Sequence, residues 1–253
     1  MGVINNFIRE VRNFSKANWW VYIIYFLLLV SILFIEKDKL ASVFFITTLH
    51  FVADMFIMMM FSAYARGKNR QGTYYQIISM LVFMSLKIYT GLIDHSWHYL
   101  AADPVYILAA IKNYRVDVKK SDLSFVNYKS MTVFSIIIFG ILLCFKFWGH
   151  VSLLNSASQW IQTIGIFSFA IALSVTGNER VRSRIAIAAL IAMVGGSAWE
   201  TANTFVSGHI IGLALSYFLL PLTVLVFYIK NWTSTPRHPK KTYSLSQPLV
   251  AEA

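Results

Sequence analysis

Long apolar runs alternate with short polar stretches along most of the chain. The apolar runs are about 17 to 25 residues long, and one such run crosses the ~30 Å hydrocarbon core of a bilayer as a helix. The predicted spans are residues 19–35, 41–65, 74–93, 97–113, 131–149, 157–176, 185–205 and 208–230. The fourth is the weakest, because Asp103 and Pro104 interrupt it. The pattern predicts an all-α polytopic membrane protein with eight transmembrane helices.

The two ends of the chain carry different patterns. In residues 1–18, apolar side chains such as Phe7, Val11 and Phe14 recur at helical spacing, with Arg9 and Arg12 between them. This pattern predicts an amphipathic helix that lies on the membrane surface. Residues 231–253 hold three prolines among Ser, Thr and Lys, a composition that builds no core. We therefore expect a disordered tail.

The composition and the placement of charge narrow the class of protein. Of the 253 residues, 57% are apolar and 13% are charged, whereas soluble domains carry about 25% charged residues. The net charge of +11 comes mainly from the N-terminus, three alternate loops and the tail. This distribution is the one that keeps loops on the cytoplasmic side of a membrane. We expect both termini in the cytoplasm, a plasma or bacterial inner membrane, and no nucleic-acid partner.

The two halves of the chain share a weak internal repeat. Gly67 and Gly177 each begin a polar link between two apolar runs, and a later helix in each half holds a lone proline, Pro104 or Pro221. Four spans per half is an even number, so both halves must point the same way. Residues 19–130 and 131–230 are therefore predicted to form two parallel repeats, each a leading helix followed by a three-helix bundle.

Two three-helix bundles joined by a linker helix resemble the SWEET-like architecture, and the second half is similar to vitamin transporters of the PnuC type. The residues that carry this similarity are Ser156 through Ser158, Trp199, Asn203, Gly208, Tyr228 and Trp232. The first half departs from the family, with Ile111-Lys112-Asn113-Tyr114 in place of its aromatic Gly-Trp-Tyr-x-Trp ending. The resemblance implies a carrier for nicotinamide riboside or a related vitamin, working by facilitated diffusion with trapping by a cytoplasmic kinase.

Charged residues at membrane depth mark a first candidate site, because such residues are costly there and usually functional. They are His50 and Asp54 in the second span and Lys87 in the third. A hairpin turn centred near Arg70 places Asp54 and Lys87 at equal depth, which predicts that they can pair. Such a pair either serves the site, leaving coupling to protons or sodium open, or only fixes the packing of the hairpin.

A second candidate site lies in the second half. Its residues are Trp199, Glu200 and Asn203 in the seventh span, Gln159 and Gln162 in the sixth, and Tyr217 in the eighth. Indole faces, amides and one carboxylate suit an aromatic, water-soluble molecule. The alternative interpretation is an outer aromatic belt with amides that join neighbouring helices.

These features favour a membrane carrier, facilitative or ion-coupled, for a small aromatic metabolite such as a vitamin or nucleoside. We expect no bound cofactor or metal, and the pattern leaves the oligomeric state open. The alternative is an enzyme, because His50-x-x-x-Asp54 resembles the pattern of intramembrane zinc hydrolases of the alkaline-ceramidase type. That family closes with a His-x-x-x-His pair in its last span, where this chain has only His209.

Overall fold

The computed structural model describes residues 2–35, 40–94, 97–119, 127–147, 157–175, 179–206 and 212–234. All secondary structure in these ranges is helical, which confirms the predicted all-α class. The helices are α1 (Gly2–Ala17), α2 (Trp19–Ile35), α3 (Leu40–Ala65), α4 (Asn69–Asp94), a 3₁₀ segment (Trp97–Ala102), α5 (Asp103–Asn113), a π-helical segment (Tyr114–Val118), α6 (Tyr128–Phe147), α7 (Ala157–Ser174), α8 (Glu179–Val206) and α9 (Gly212–Ser234).

A helix overlaps each of the eight predicted spans, but the helices differ in length and apolar character. Within the described residues, α3, α4 and α8 are long and apolar enough to cross a membrane, and α1 with α2 adds a fourth if that pair, bent by 79°, counts as one span. Shorter apolar stretches lie in α6 and α9. Several apolar helices thus fit a membrane protein, while eight crossings remain a prediction. α9 continues to Ser234, so the first four residues of the predicted tail are helical, and residues 235–253 lie outside the described residues.

The helices pack in a pattern that repeats between the two halves. α3 packs along α4 and also against α9, and correspondingly α7 packs along α8 and also against α5. The leading helix of each half packs against both helices of one of these contacts. α2 packs against α3 and α9, and α6 packs against α7 and α5. α3 is the most enclosed of the long helices, since 67% of its apolar window is buried against 33% for α4 and 28% for α8.

Glycines set the geometry of both hairpins. Gly67 ends α3 with φ of +70°, and the Lys68 amide donates to the Ala63 carbonyl at 2.9 Å, so the chain turns sharply into α4. In the other hairpin, a Cβ added at Gly165 or Gly196 would lie 2.9 or 2.8 Å from a backbone carbonyl of the facing helix. The second pair, α7 and α8, therefore depends on small residues for its close approach.

Helix α1 lies across the ends of α3, α4 and α9 instead of standing free. Phe14 is buried against Phe227, with ring centroids 5.7 Å apart. Glu10 accepts hydrogen bonds from Tyr75 at 2.6 Å and Gln71 at 3.1 Å, and Lys68 lies 3.4 Å away. These contacts fix the predicted amphipathic helix to the start of α4.

Candidate functional site: a central cavity between the two halves

A cavity lies between the two halves, and six helices line it: α3, α4 and α5 from the first half and α7, α8 and α9 from the second. The centre of a water molecule can move within about 120 Å³ of this cavity. A cavity that holds a single water needs only ~10–15 Å³ by the same definition. Most of the wall is apolar, with a small set of polar side chains. A cavity of this kind suits a small organic molecule.

Equivalent positions of the two halves line this cavity. The wall positions of α3 have the same spacing as those of α7, 112 residues later. They are His50, Asp54 and Ile57 on α3, and Gln162, Ile166 and Phe169 on α7. The same holds for α4 and α8, whose wall positions lie 110 residues apart: Met80, Phe83 and Lys87 correspond to Leu190, Met193 and Ser197. On α5 and α9 the offset is 118 residues, and Asp103 and Tyr106 correspond to Pro221 and Val224. The internal symmetry of the helix contacts therefore extends to the cavity wall.

Lys87 forms an ion pair with Asp103. Both side chains are largely enclosed, and the Lys87 Nζ lies 5.4 Å from the centre of the Tyr106 ring. The predicted pairing of Lys87 with Asp54 is wrong. The hairpin turns at Gly67 instead of Arg70, which places Lys87 about 10 Å farther along the bundle than Asp54. Asp103, which interrupts the fourth predicted span, is a wall residue of the cavity.

His50 and Asp54 form the second charged group of the cavity. They lie one turn apart on α3, with His50 Nε2 and Asp54 Oδ2 3.6 Å apart, and each residue is only 5% exposed. The His50 ring lies between Phe83 of α4 and Tyr217 of α9, with centroids 5.5 and 5.3 Å away. Asp54 Oδ2 and His50 Nδ1 have no hydrogen-bond partner among the described residues.

The predicted second-half site is only partly assembled at the cavity. Gln162 donates to Glu200 at 2.8 Å, which brings together two residues of the predicted second-half site, and Gln162 and Tyr217 line the cavity. Trp199 is 51% exposed and Asn203 is exposed. Two residues along a helix correspond to about 200° of rotation, so Trp199 lies on the face opposite Ser197, which lines the cavity. Gln159 and Glu200 are partly buried and lie outside the cavity lining.

Several wall residues were missed in the sequence. Gln76, Ser79 and Phe83 line the cavity together with the predicted Lys87, at helical spacing along one face of α4. Polar residues that recur at this spacing in an apolar helix are a signal that sequence inspection can find. Asp103 was interpreted only as an interruption of the fourth predicted span, and nothing in the local pattern links it to Lys87.

A polar network joins the two halves at the end of the bundle where α4 begins and α7 ends. Asn113 donates to Gln76 at 2.8 Å and to the Leu173 carbonyl at 2.9 Å, and Lys112 donates to the Ser174 carbonyl. These bonds satisfy carbonyls at the C-terminus of α7, where a cation is favoured. We call Gln76, Lys112, Asn113 and their α7 partners the closing network. Gln76 also lines the cavity, so this network borders the cavity at that end.

Metal ligands are sparse in this cavity. No group of three His, Cys, Asp or Glu side chains suited to a metal ion occurs in the described part of the chain. His209, the histidine of the last predicted span, lies outside the described residues. His50 and Asp54 alone fall short of the three protein ligands that a catalytic zinc needs.

Comparison with known protein families, curated proteins and solved structures finds no match for this chain. The cavity and the arrangement of the helices around it are therefore the features that indicate a function.

Proposed function

We propose that the protein is a polytopic membrane carrier, which moves a small water-soluble metabolite through the central cavity by rocking one half against the other. The observation that carries this proposal is a cavity with buried ionisable groups, lined by equivalent positions of two similar halves. Carriers built from parallel repeats bind their substrate near the midplane, at the interface between the repeats.

The orientation follows from the basic residues. Arg66 and Lys68 follow α3, Arg115 and Lys119 follow α5, and Arg182 lies in the first turn of α8. These positions belong to the end of the bundle that holds the closing network. Under the positive-inside rule this end faces the cytoplasm, with eight spans and both termini on that side.

The cavity also indicates the kind of substrate. Rings of Phe83, Tyr106 and Tyr217 surround buried polar atoms, which suits a molecule with a flat apolar part and hydrogen-bonding groups. A vitamin or nucleoside has this composition and agrees with the PnuC resemblance of the second half. The departure of the first half from that family leaves the particular vitamin open.

The first experiment is a binding screen of the purified protein against nicotinamide riboside, thiamine, riboflavin and adenosine by thermal shift. A ligand present at 100 times its dissociation constant adds about 2.7 kcal/mol of stability. Each compound that binds is then tested for counterflow in proteoliposomes, where unlabelled substrate inside accelerates entry of labelled substrate. A carrier shows counterflow. A protein that binds a compound without moving it, or moves it without counterflow, is not a carrier.

A matched cysteine pair tests whether the cavity is the pathway. Cys144, the single cysteine, is exposed and is first replaced by Ser. Ser79→Cys places a thiol in the cavity wall, whereas Ser85→Cys places one on the exposed face of the same helix. A charged methanethiosulfonate should block transport only in the Ser79→Cys variant, and substrate should protect it. Equal block of both variants, or of neither, would exclude the cavity as the pathway.

The enzymatic alternative has its own measurement. About one zinc per purified chain, lost in the His50→Ala variant, would replace the carrier by an intramembrane hydrolase. We expect no stoichiometric zinc.

A further inference from the structure

The ionisable groups of the cavity divide into a matched pair and an unmatched pair. Lys87 and Asp103 neutralise each other. Without an added proton, His50 carries a neutral imidazole and Asp54 carries an ionised carboxylate. His50 Nε2 and Asp54 Oδ2 lie 3.6 Å apart. Among the described residues, Lys87 is the sole cation that lines the cavity. With Asp54 ionised and His50 neutral, the cavity would thus carry one net negative charge.

The groups that face the His50–Asp54 pair supply no second cation. α4 contributes Phe83 and, farther along, Lys87 with its partner Asp103 of α5. α9 contributes the Tyr217 hydroxyl, α5 contributes the Tyr106 hydroxyl, and the lining residues of α7 and α8 carry no charge. Glu200 lies behind Gln162, outside the lining. α2 also packs against α3, and its Tyr22 and Tyr25 hydroxyls bond to Met55 and Thr48 of that helix instead of to the pair.

A net charge in an apolar, enclosed site is costly. The state in which the Asp54 carboxylate has no compensating positive charge is therefore higher in free energy. One added proton removes the net charge, either on the Asp54 carboxylate or on the His50 ring. Two nitrogens and two oxygens one helical turn apart can share such a proton and pass it to an incoming molecule. Asp54 Oδ2 and His50 Nδ1, which have no hydrogen-bond partner among the described residues, are the atoms available for that exchange.

We propose that the His50–Asp54 pair binds a proton that moves with, or in exchange for, the substrate, so that the carrier is proton-coupled. This inference rests on the proposed carrier function. A neutral substrate travels together with the proton, whereas a cationic substrate displaces it. In both cases the proton balances the Asp54 carboxylate whenever no other cation does so.

The test uses full-length protein in liposomes and whichever screened compound shows counterflow. A pH gradient of one unit is imposed with the membrane potential clamped by potassium and valinomycin. With one proton per substrate, this gradient supports about tenfold accumulation at equilibrium. The wild-type protein should accumulate substrate up to that ratio. The sign of the gradient that drives accumulation tells symport from exchange.

Variants assign the coupling to the pair. Asp54→Asn keeps the shape and removes the proton site, so it should retain counterflow and lose the pH-driven accumulation. His50→Gln is the second variant, should Asp54→Asn fail to fold. Glu200→Gln removes a carboxylate outside the cavity lining and should accumulate substrate like the wild type. Coupling that survives both changes in the pair, or that disappears in Glu200→Gln, would overturn the assignment.

The wild-type measurement alone separates the two proposals. Counterflow without any pH-driven accumulation would leave a carrier and overturn the proton coupling. Absence of counterflow for every compound that binds would overturn the carrier and, with it, the coupling.

Discussion

The two halves of the molecule share their shape but differ in their chemistry. The wall positions held by His50 and Asp54 in the first half are Gln162 and Ile166 in the second. Those of Lys87 and Asp103 become Ser197 and Pro221. Every charged wall residue among those described thus has a neutral residue at the equivalent position of the other half. The repeat supplies the cavity, and among the described lining residues the first half alone supplies its charge.

This difference has a physical reason. A symmetric set of charges would place two like groups in one enclosed cavity, and like charges at short range in a poorly solvated site repel strongly. The second half is free of that constraint and is built for close packing instead. Gly165 and Gly196 let the backbones of α7 and α8 approach each other, whereas a Cβ added at Gly72 of α4 would meet only the side chain of Tyr64 near the turn.

The largest expected effect tests the charged half against its neutral counterpart. Lys87→Met leaves Asp103 buried without its cation, and losing one partner of a buried pair costs about 3–5 kcal/mol. Ser197→Ala, at the equivalent wall position, should change the free energy of unfolding by about 1 kcal/mol or less. Unfolding by denaturant in detergent measures both. Equal losses for the two variants would remove the contrast between the halves.

The next effect tests the packing of the second half. Gly196→Ala brings a Cβ to 2.8 Å from the Ser158 carbonyl, which should force α7 and α8 apart at a cost of about 1–3 kcal/mol. Gly195, the preceding residue, is exposed and has no atom within 4 Å of the added Cβ. Gly195→Ala should be neutral or slightly stabilising. Similar melting temperatures for the two alanine variants would show that the close approach contributes nothing.

A smaller effect concerns the attachment of α1 to the first half, and it depends on pH. Burial raises the pKa of Glu10, but the hydrogen bond from Tyr75 and the charge of Lys68 outweigh it, so the pKa lies below the ordinary value of 4.5. Because the folded-state pKa is depressed, the attachment should be fully present above pH 4.5 and lost as the pH falls through the lowered value.

Spin labels at Arg9→Cys and Tyr74→Cys, on the Cys144→Ser background, report this attachment as a distance between α1 and α4. The distance distribution between the two labels should stay the same from pH 7 to pH 5 and should broaden at lower pH. Glu10→Gln should weaken the attachment already at pH 7. A distance that neither acid nor Glu10→Gln alters would mean that Phe14 and its neighbours hold α1 without help from Glu10.

The smallest effect sharpens the boundary of the site. Trp199 is half exposed on the far side of α8 from the cavity, so Trp199→Ala should change substrate affinity less than about twofold. Phe83→Ala removes a ring from the cavity wall beside His50 and should weaken binding by several-fold or more, because a stacking contact is worth about 0.5–1.5 kcal/mol. Isothermal titration with the identified substrate compares them. A tenfold loss in Trp199→Ala would return the binding site to the outer face of α8.

The sequence predicted the helices well and the faces of those helices poorly. Run length and hydropathy are local properties, so each predicted span coincides with a helix to within a few residues at most boundaries. Which face points inward depends on helices far apart in the chain. An error of three residues in the hairpin turn, Arg70 instead of Gly67, was enough to give Lys87 the wrong partner.

Asp103 shows a second limit of sequence reasoning. A carboxylate beside a proline indicates only an interruption of an apolar run. Its pairing with Lys87 becomes visible only when α4 and α5 are placed side by side. Gln162 and Glu200, which the sequence assigned to one candidate site, do contact each other. His50 and Asp54 were predictable as ionisable residues in an apolar run, and their spacing of four places them on one face of a single helix.

Gln76 belongs at once to the cavity wall and to the bonds that hold the halves together, because its Oε1 accepts the hydrogen bond from Asn113. Occupancy of the cavity and separation of the α7 end are therefore linked events in the thermodynamic sense. A molecule that draws Gln76 away from Asn113 favours separation, and separation in turn changes the affinity for that molecule by the same factor.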